Sequence, residues 1–132
     1  MWRECFFFIV FAGFSFSSII QELTDLTEEE PYGYLHFGEI EFGKYFEKRE
    51  EKYTLVLLFT SKEHCQICPD VEEPFHKIAY SYKVDKRFDP LHNQIPVYFA
   101  EIVYNKNNMK LFNKYNIRST PVIHISRDAP KQ

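Results

Sequence analysis

Hydrophobic and polar positions change period repeatedly along this chain, and each change marks an element. In "IIQELTDLTEE" (19–29), Ile19, Leu23 and Leu26 recur at helical spacing until Pro31 ends the pattern. "GYLHF" (33–37) is short and aromatic, which predicts a strand. "EIEFGKYFEKREEK" (39–52) sets Ile40, Phe42, Tyr45 and Phe46 among charges, an amphipathic helix weakened by Gly43. "YTLVLLFT" (53–60) is a continuous apolar run, the mark of a central strand covered on both faces.

The second half continues in the same manner. "DVEEPFHKIAYSYKVDK" places Val71, Phe75, Ile78, Ala79 and Tyr82 on one helical face, with a kink expected at Pro74. "RFDPLHNQ" (87–94) reads as a loop and "IPVYFAEIVY" (95–104) as a second buried strand. "NNMKLFNKYNI" (107–117) predicts a short helix capped by Asn107 or Asn105. "TPVIHIS" (120–126) predicts a strand entered through a proline. The charge runs "TEEE" (27–30) and "EKREE" (47–51) read as solvated faces. Helices and strands alternate from end to end, so the fold class is layered α/β with at least partly parallel strands.

Composition narrows the function classes. The 132 residues suffice for one domain with a single core. With 45% hydrophobic and 27% charged residues the chain is globular rather than disordered. A net charge of −3 and a pI near 5.9 argue against a nucleic-acid binder, which normally shows a basic face. The first residues differ in kind: one Arg, an apolar run from Cys5 to Phe16, then serines. That layout predicts a signal peptide over 1–17, cleaved after Ser17, and a mature domain over 18–132. The competing reading is a membrane anchor, but the run is short for a span of about 20 residues. No later segment is long and apolar enough to cross a membrane. A secretory route implies an oxidising compartment, in which two cysteines can pair.

Cleavage there leaves the mature chain two cysteines, Cys65 and Cys68, in "KEHCQICPD" (62–70). A zinc site needs four ligands, and no second Cys pair or spaced His pair supplies the rest. As a structural staple the pair is weak, since closing so short a loop contributes only about 2 kcal/mol. A redox pair fits both spacing and position, after a buried strand and at a helix start, where free N–H groups favour a Cys65 thiolate. Cys65 is then the attacking sulfur and Cys68 the resolving one. Pro69 shifts the expected helix start to a point later than Cys65. The couple is expected between about −270 and −120 mV. "RSTPV" adds Pro121 at the entrance of a later strand; by resemblance to thioredoxin-type folds, which hold a cis-proline facing the dithiol there, a cis Thr120–Pro121 bond is expected. No metal and no cofactor is called for.

Together, "VLLFTSKEHCQIC", "FHKIAYSY", "VYFAEIVY" and "LFNKYNIRSTP" resemble the thioredoxin-like oxidoreductase subunits of the oligosaccharyltransferase complex. That family also includes proteins described as magnesium transporters. The resemblance runs from the Leu23–Leu26 helix through Ile125. It implies a thioredoxin-like fold, three-layer α/β/α around a mixed sheet, in a lumenal domain of the endoplasmic reticulum. The implied activity is transient mixed-disulfide formation with nascent polypeptides bearing free cysteines, assisting N-glycosylation beside the other transferase subunits. Cys65 and Cys68 are the implied redox centre, and Thr120 and Pro121 flank the implied peptide groove. A free-standing lumenal oxidoreductase and a redox-silent peptide-binding module are the alternatives. Three departures stand out. Phe59 occupies the position where many thioredoxins carry a buried acid, which predicts slow proton handling; Pro69 follows the second cysteine; and the pattern's last strand and helix are missing. Without them, the outer edge of 122–126 is expected to lack a partner and to leave the isolated chain marginal, prone to dimerise or aggregate.

Overall fold

The computed structural model describes residues 18–85 and 95–128. The signal peptide expected over 1–17 and the loop expected over 87–94 lie outside the described residues. Four strands, β1 (Tyr34–His36), β2 (Thr54–Thr60), β3 (Val97–Val103) and β4 (Val122–Ser126), form one sheet in the order β1-β3-β2-β4. β1 and β2 both run parallel to β3, whereas β4 runs antiparallel to β2. The sheet is therefore mixed, and the apolar runs of β2 and β3 occupy its two inner positions. That placement explains why neither strand alternates: both faces of each are covered.

Helices cover the two faces unequally. On one face, Leu23 of α1 (Ile19–Glu29), Phe42 of α2 (Glu39–Phe42) and Leu111 and Phe112 of α4 (Met109–Lys114) pack onto Leu55, Leu57, Phe59 and Ile102. On the other, Phe75 and Ala79 of α3 (Cys68–Val84) pack onto Leu58 and Phe99. The sheet is thus enclosed between two layers of helices. Ser18 caps α1, its Oγ accepting the Gln21 N–H at 3.1 Å.

Several expected boundaries are corrected. The helix expected over 39–52 is a four-residue α-helix that passes into a π-helical turn over Gly43–Glu47 and ends there. Of the run 47–51 expected to be a solvated face, Lys48 and Glu50 are exposed and Glu47 and Glu51 half-buried, but Arg49 departs from it. Arg49 is buried, donating to the carbonyls of Tyr53 (2.8 Å), Ser126 (3.3 Å) and Asp128 (2.6 Å) and to Ser126 Oγ (2.5 Å). It ties the approach to β2 to the end of β4. On α3, Ile78 is exposed rather than on the buried face, and the helix runs through Pro74. α4 is shorter than 107–117, and its N-cap is Asn108, not Asn107 or Asn105. Asn105 instead folds the preceding turn, its Oδ1 accepting the N–H groups of Asn107 (2.8 Å) and Asn108 (3.1 Å). Among the described residues the outer edge of β4 carries no strand, and Ile123 and Ile125 are exposed.

Candidate functional site

The site forms where β2 ends, α3 begins and the segment before β4 returns. β2 delivers the chain to Thr60, and a short loop follows in which Ser61 Oγ accepts the Glu63 N–H at 3.2 Å. His64 then takes a left-handed conformation, with φ of 56°, immediately before Cys65. Such a backbone is uncommon outside glycine and turns the chain sharply at the sulfur. Cys65 and Cys68 form a disulfide with S–S 2.01 Å and Cα–Cα 5.5 Å.

The two sulfurs are not equivalent. Cys65 is partly exposed, whereas Cys68 is wholly buried. α3 begins at Cys68, with Ile67 as its cap residue and Pro69 in its first turn. The helix thus starts later than Cys65, as Pro69 leads one to expect: Cys65 lies three residues before the first helical position. Pro69 contributes no N–H, so support for a Cys65 thiolate from the helix end is weaker than the spacing alone suggests.

The returning segment meets the pair from the other side. The Thr120–Pro121 bond is cis, and the Cys65 sulfur lies 3.4 Å from the Thr120 carbonyl oxygen. Thr120 lines a groove together with His64, Cys65, Gln66, Ile67, Arg118 and Ser119. Pro121 lies one residue beyond this lining. Of the four expected site residues, two, Cys65 and Thr120, thus line one surface groove; Cys68 is buried, bonded to Cys65, and Pro121 follows Thr120 in the chain. The groove has an exposed apolar residue, Ile67, and a fixed positive charge, Arg118, and none of its lining residues is acidic.

Sequence reasoning missed a polar cluster between α3 and the end of β2. Glu72 is buried on α3, and its carboxylate accepts from Thr60 Oγ1 (2.5 Å) and Lys62 Nζ (2.8 Å). Burial pushes its carboxyl upward, but the Lys62 and Thr60 hydrogen bonds outweigh burial and hold it below the usual range. Phe59, at the position of the expected acid, faces the other side of β2, and the buried acid between β2 and α3 is Glu72. The readable signal was the four-residue step from Cys68 to Glu72, which puts both on one helix face. Among the described residues, no three His, Cys, Asp or Glu side chains converge as a metal site. No described helix is long and apolar enough to cross a membrane.

Comparisons with known proteins agree with this architecture. The chain matches the family model described as "OST3 / OST6 family, transporter family" over residues 21–131. None of the curated proteins matches the chain by sequence. Among solved structures, the long form of thioredoxin f from spinach chloroplast superposes with a TM-score of 0.58 at 19% identity, covering 81% of this chain and 74% of that one. Thioredoxin f2 of Chlamydomonas reinhardtii gives 0.54 at 22% identity, with 72% and 75% covered. Thioredoxin from Trypanosoma brucei brucei gives 0.54 at 22% identity, with 75% and 74% covered. At these identities the likeness establishes the thioredoxin-like fold.

Proposed function

The chain belongs to the OST3/OST6 family, and from that premise we propose that it is a thiol–disulfide oxidoreductase subunit of the oligosaccharyltransferase complex. One observation carries the reading: a disulfide whose first sulfur is partly exposed in a groove while its second is buried. A client thiolate attacks Cys65 Sγ, the Cys65–Cys68 bond breaks, and Cys68 leaves as the thiolate. The client is then held on Cys65 as a mixed disulfide. Attack of Cys68 on Cys65 Sγ restores the ring and releases the client thiolate. No external oxidant or reductant enters this cycle, which suits a temporary tether. An extended client segment lies in the groove beside Thr120, with Pro121 shaping its edge.

Residues 1–17 act as a signal peptide in this reading, and 18–132 work in the endoplasmic reticulum lumen. The partners are nascent polypeptides with free cysteines and the other subunits of the transferase. Holding a chain unfolded there keeps its asparagines open to glycosylation. The test is trapping on non-reducing gels: Cys68→Ser is expected to accumulate mixed disulfides with clients, and Cys65→Ser to accumulate none. Equal trapping by both variants, or by neither, defeats the reading. Co-purification with transferase subunits separates it from a free-standing oxidoreductase.

A further inference from the structure

Cys68 is fully buried, so once the ring opens its thiol has no direct path for a proton to water. An internal acceptor has to stand near it. Glu72 lies four residues further along α3 and is only 8% exposed. Residues at this spacing share a helix face, and Cα–Cβ bonds tilt toward the N-terminus, so Glu72 leans over the turn holding Cys68. Thr60, its hydrogen-bond donor at 2.5 Å, is fully buried at the end of β2, four residues before His64. The carboxylate is thus held where β2 ends and α3 begins, the junction that carries the disulfide.

We propose that Glu72 is the internal proton acceptor for Cys68 when the mixed disulfide resolves; this rests on the thiol–disulfide reading above. The Cys68 thiol gives its proton to the Glu72 carboxylate, and the thiolate attacks Cys65 Sγ. The bond between Cys65 and the client breaks as the Cys65–Cys68 bond forms. The client leaves as a thiolate and takes up the proton from Glu72, which restores the carboxylate. Protons and electrons balance with no further reagent.

The surrounding charges set the character of this acceptor. Lys62, in the loop after β2, donates to Glu72 Oε1 at 2.8 Å. On the next turn of α3, His76 Nε2 stands 3.5 Å from Glu101 Oε1 of β3. From β1, His36 Nδ1 lies 3.8 Å from the other Glu101 oxygen, and Tyr34 stacks on the His76 ring with centroids 4.1 Å apart. The cations Lys62 and, when protonated, His76 keep Glu72 ionised; Glu101 opposes them. Glu72 is accordingly available at neutral pH but is a weak base. Proton transfer to it is uphill, and the tether is long-lived.

The test uses the reduced chain and a cysteine peptide carrying 5-thio-2-nitrobenzoate as a disulfide. Attack by Cys65 releases the coloured thiol in a first phase. Peptide release, followed by acid quench and mass spectrometry, reports the Cys68 step. Between about pH 5.5 and 7.5 the native chain is expected to resolve at a nearly constant rate. Glu72→Gln should slow resolution by about 10²-fold at the low end and make it rise about tenfold per pH unit, with the first phase unchanged. Lys62→Met leaves Glu72 in place but removes its cation. Its resolution should quicken, and the fall-off at low pH should move upward. An unchanged or faster resolution in Glu72→Gln overturns the proposal; if that variant does not fold, an unmoved fall-off in Lys62→Met does so. Failure of Cys68→Ser to hold the peptide on Cys65 would instead defeat the disulfide reading itself, and Glu72's role with it.

Discussion

The Cys65 sulfur and the Thr120 carbonyl oxygen stand 3.4 Å apart although 55 positions separate them in the chain. In the disulfide state this is a contact without a proton. On reduction the Cys65 thiol can donate to that oxygen. The contact ties the first cysteine to the segment that leads into β4, and leaves Cys68 to face the interior. The two sulfurs differ accordingly: Cys65 is partly exposed and Cys68 wholly buried.

That asymmetry should be visible chemically. After reduction, N-ethylmaleimide is expected to modify Cys65 first, and Cys68 only when denaturant is added, because Cys68 is fully buried. Peptide mass spectrometry of a time course reads the order. Simultaneous modification in the native state would contradict the arrangement.

The groove's charge should select among clients. Arg118 is exposed, and its Nε donates to Asn116 Oδ1 at 2.8 Å, which orients the guanidinium beside the site. Peptides with an acidic residue next to their cysteine should form the mixed disulfide about three- to tenfold faster than basic ones at low salt. Arg118→Glu should reverse the order, and added salt should narrow it. Stopped-flow rates for paired peptides provide the check.

Acid should unfold the domain through its hydrogen-bonded carboxylates. Lys44 and Tyr45 both donate to Glu22 (2.5 and 2.6 Å) and hold its carboxyl low. Burial raises Glu47, but donation from Lys114 and Tyr115, each at 2.5 Å, outweighs it and lowers the carboxyl. A carboxyl depressed in the folded state stabilises fully above its unfolded value of about 4.3, and loses that contribution as pH falls through the folded value. Tm should therefore be level from about pH 7 to 5 and drop below about 4.5. In Glu22→Gln/Glu47→Gln the drop should be shallower, as read by circular dichroism across that range.

Arg49 should matter for stability out of proportion to a surface cation. Arg49→Ala leaves the Tyr53 and Ser126 carbonyls without this donor, at a cost of about 2–3 kcal/mol. Arg49→Lys should recover only part, since one ammonium cannot span partners reached by both guanidinium nitrogens. Urea denaturation of the three proteins measures the difference.

Two glycines should respond oppositely to alanine. Gly33 has φ of 78°, and a Cβ there would meet the Ala79 carbonyl oxygen and Lys83 Cβ, each at 2.9 Å. Gly33→Ala should cost about 1 kcal/mol or more. Gly43 is helical, with φ of −60°, and a Cβ there would touch only Glu47 Oε1 at 3.7 Å. Gly43→Ala should stabilise by about 0.5–1 kcal/mol. Melting temperatures of both variants decide it.

Much of the fold lay within reach of local pattern. The runs over 53–60 and 95–104 read as buried inner strands, and their central parts, Thr54–Thr60 and Val97–Val103, are, because a strand covered on both faces needs no polar positions. The Cys65–Cys68 spacing, the break at Pro31 and the proline opening the last strand were legible for the same reason: each acts within a few residues. What pattern could not determine depends on distant partners. "EKREE" reads as solvent-facing by composition, yet Arg49 is buried because Ser126 and Asp128, 77 and 79 residues on, supply acceptors. Ile78 follows helical period but is exposed, since nothing among the described residues covers that side of α3. The site divides along the same line. Sequence alone singled out the two sulfurs, while tertiary structure decided which of them meets Thr120 and which is enclosed. It also decided that the buried carboxylate next to β2 comes from α3 rather than from β2 itself. A helix face acquires its chemistry only from what the sheet sets against it, and Glu72 is a buried, ionised carboxylate because Thr60 and Lys62 stand opposite.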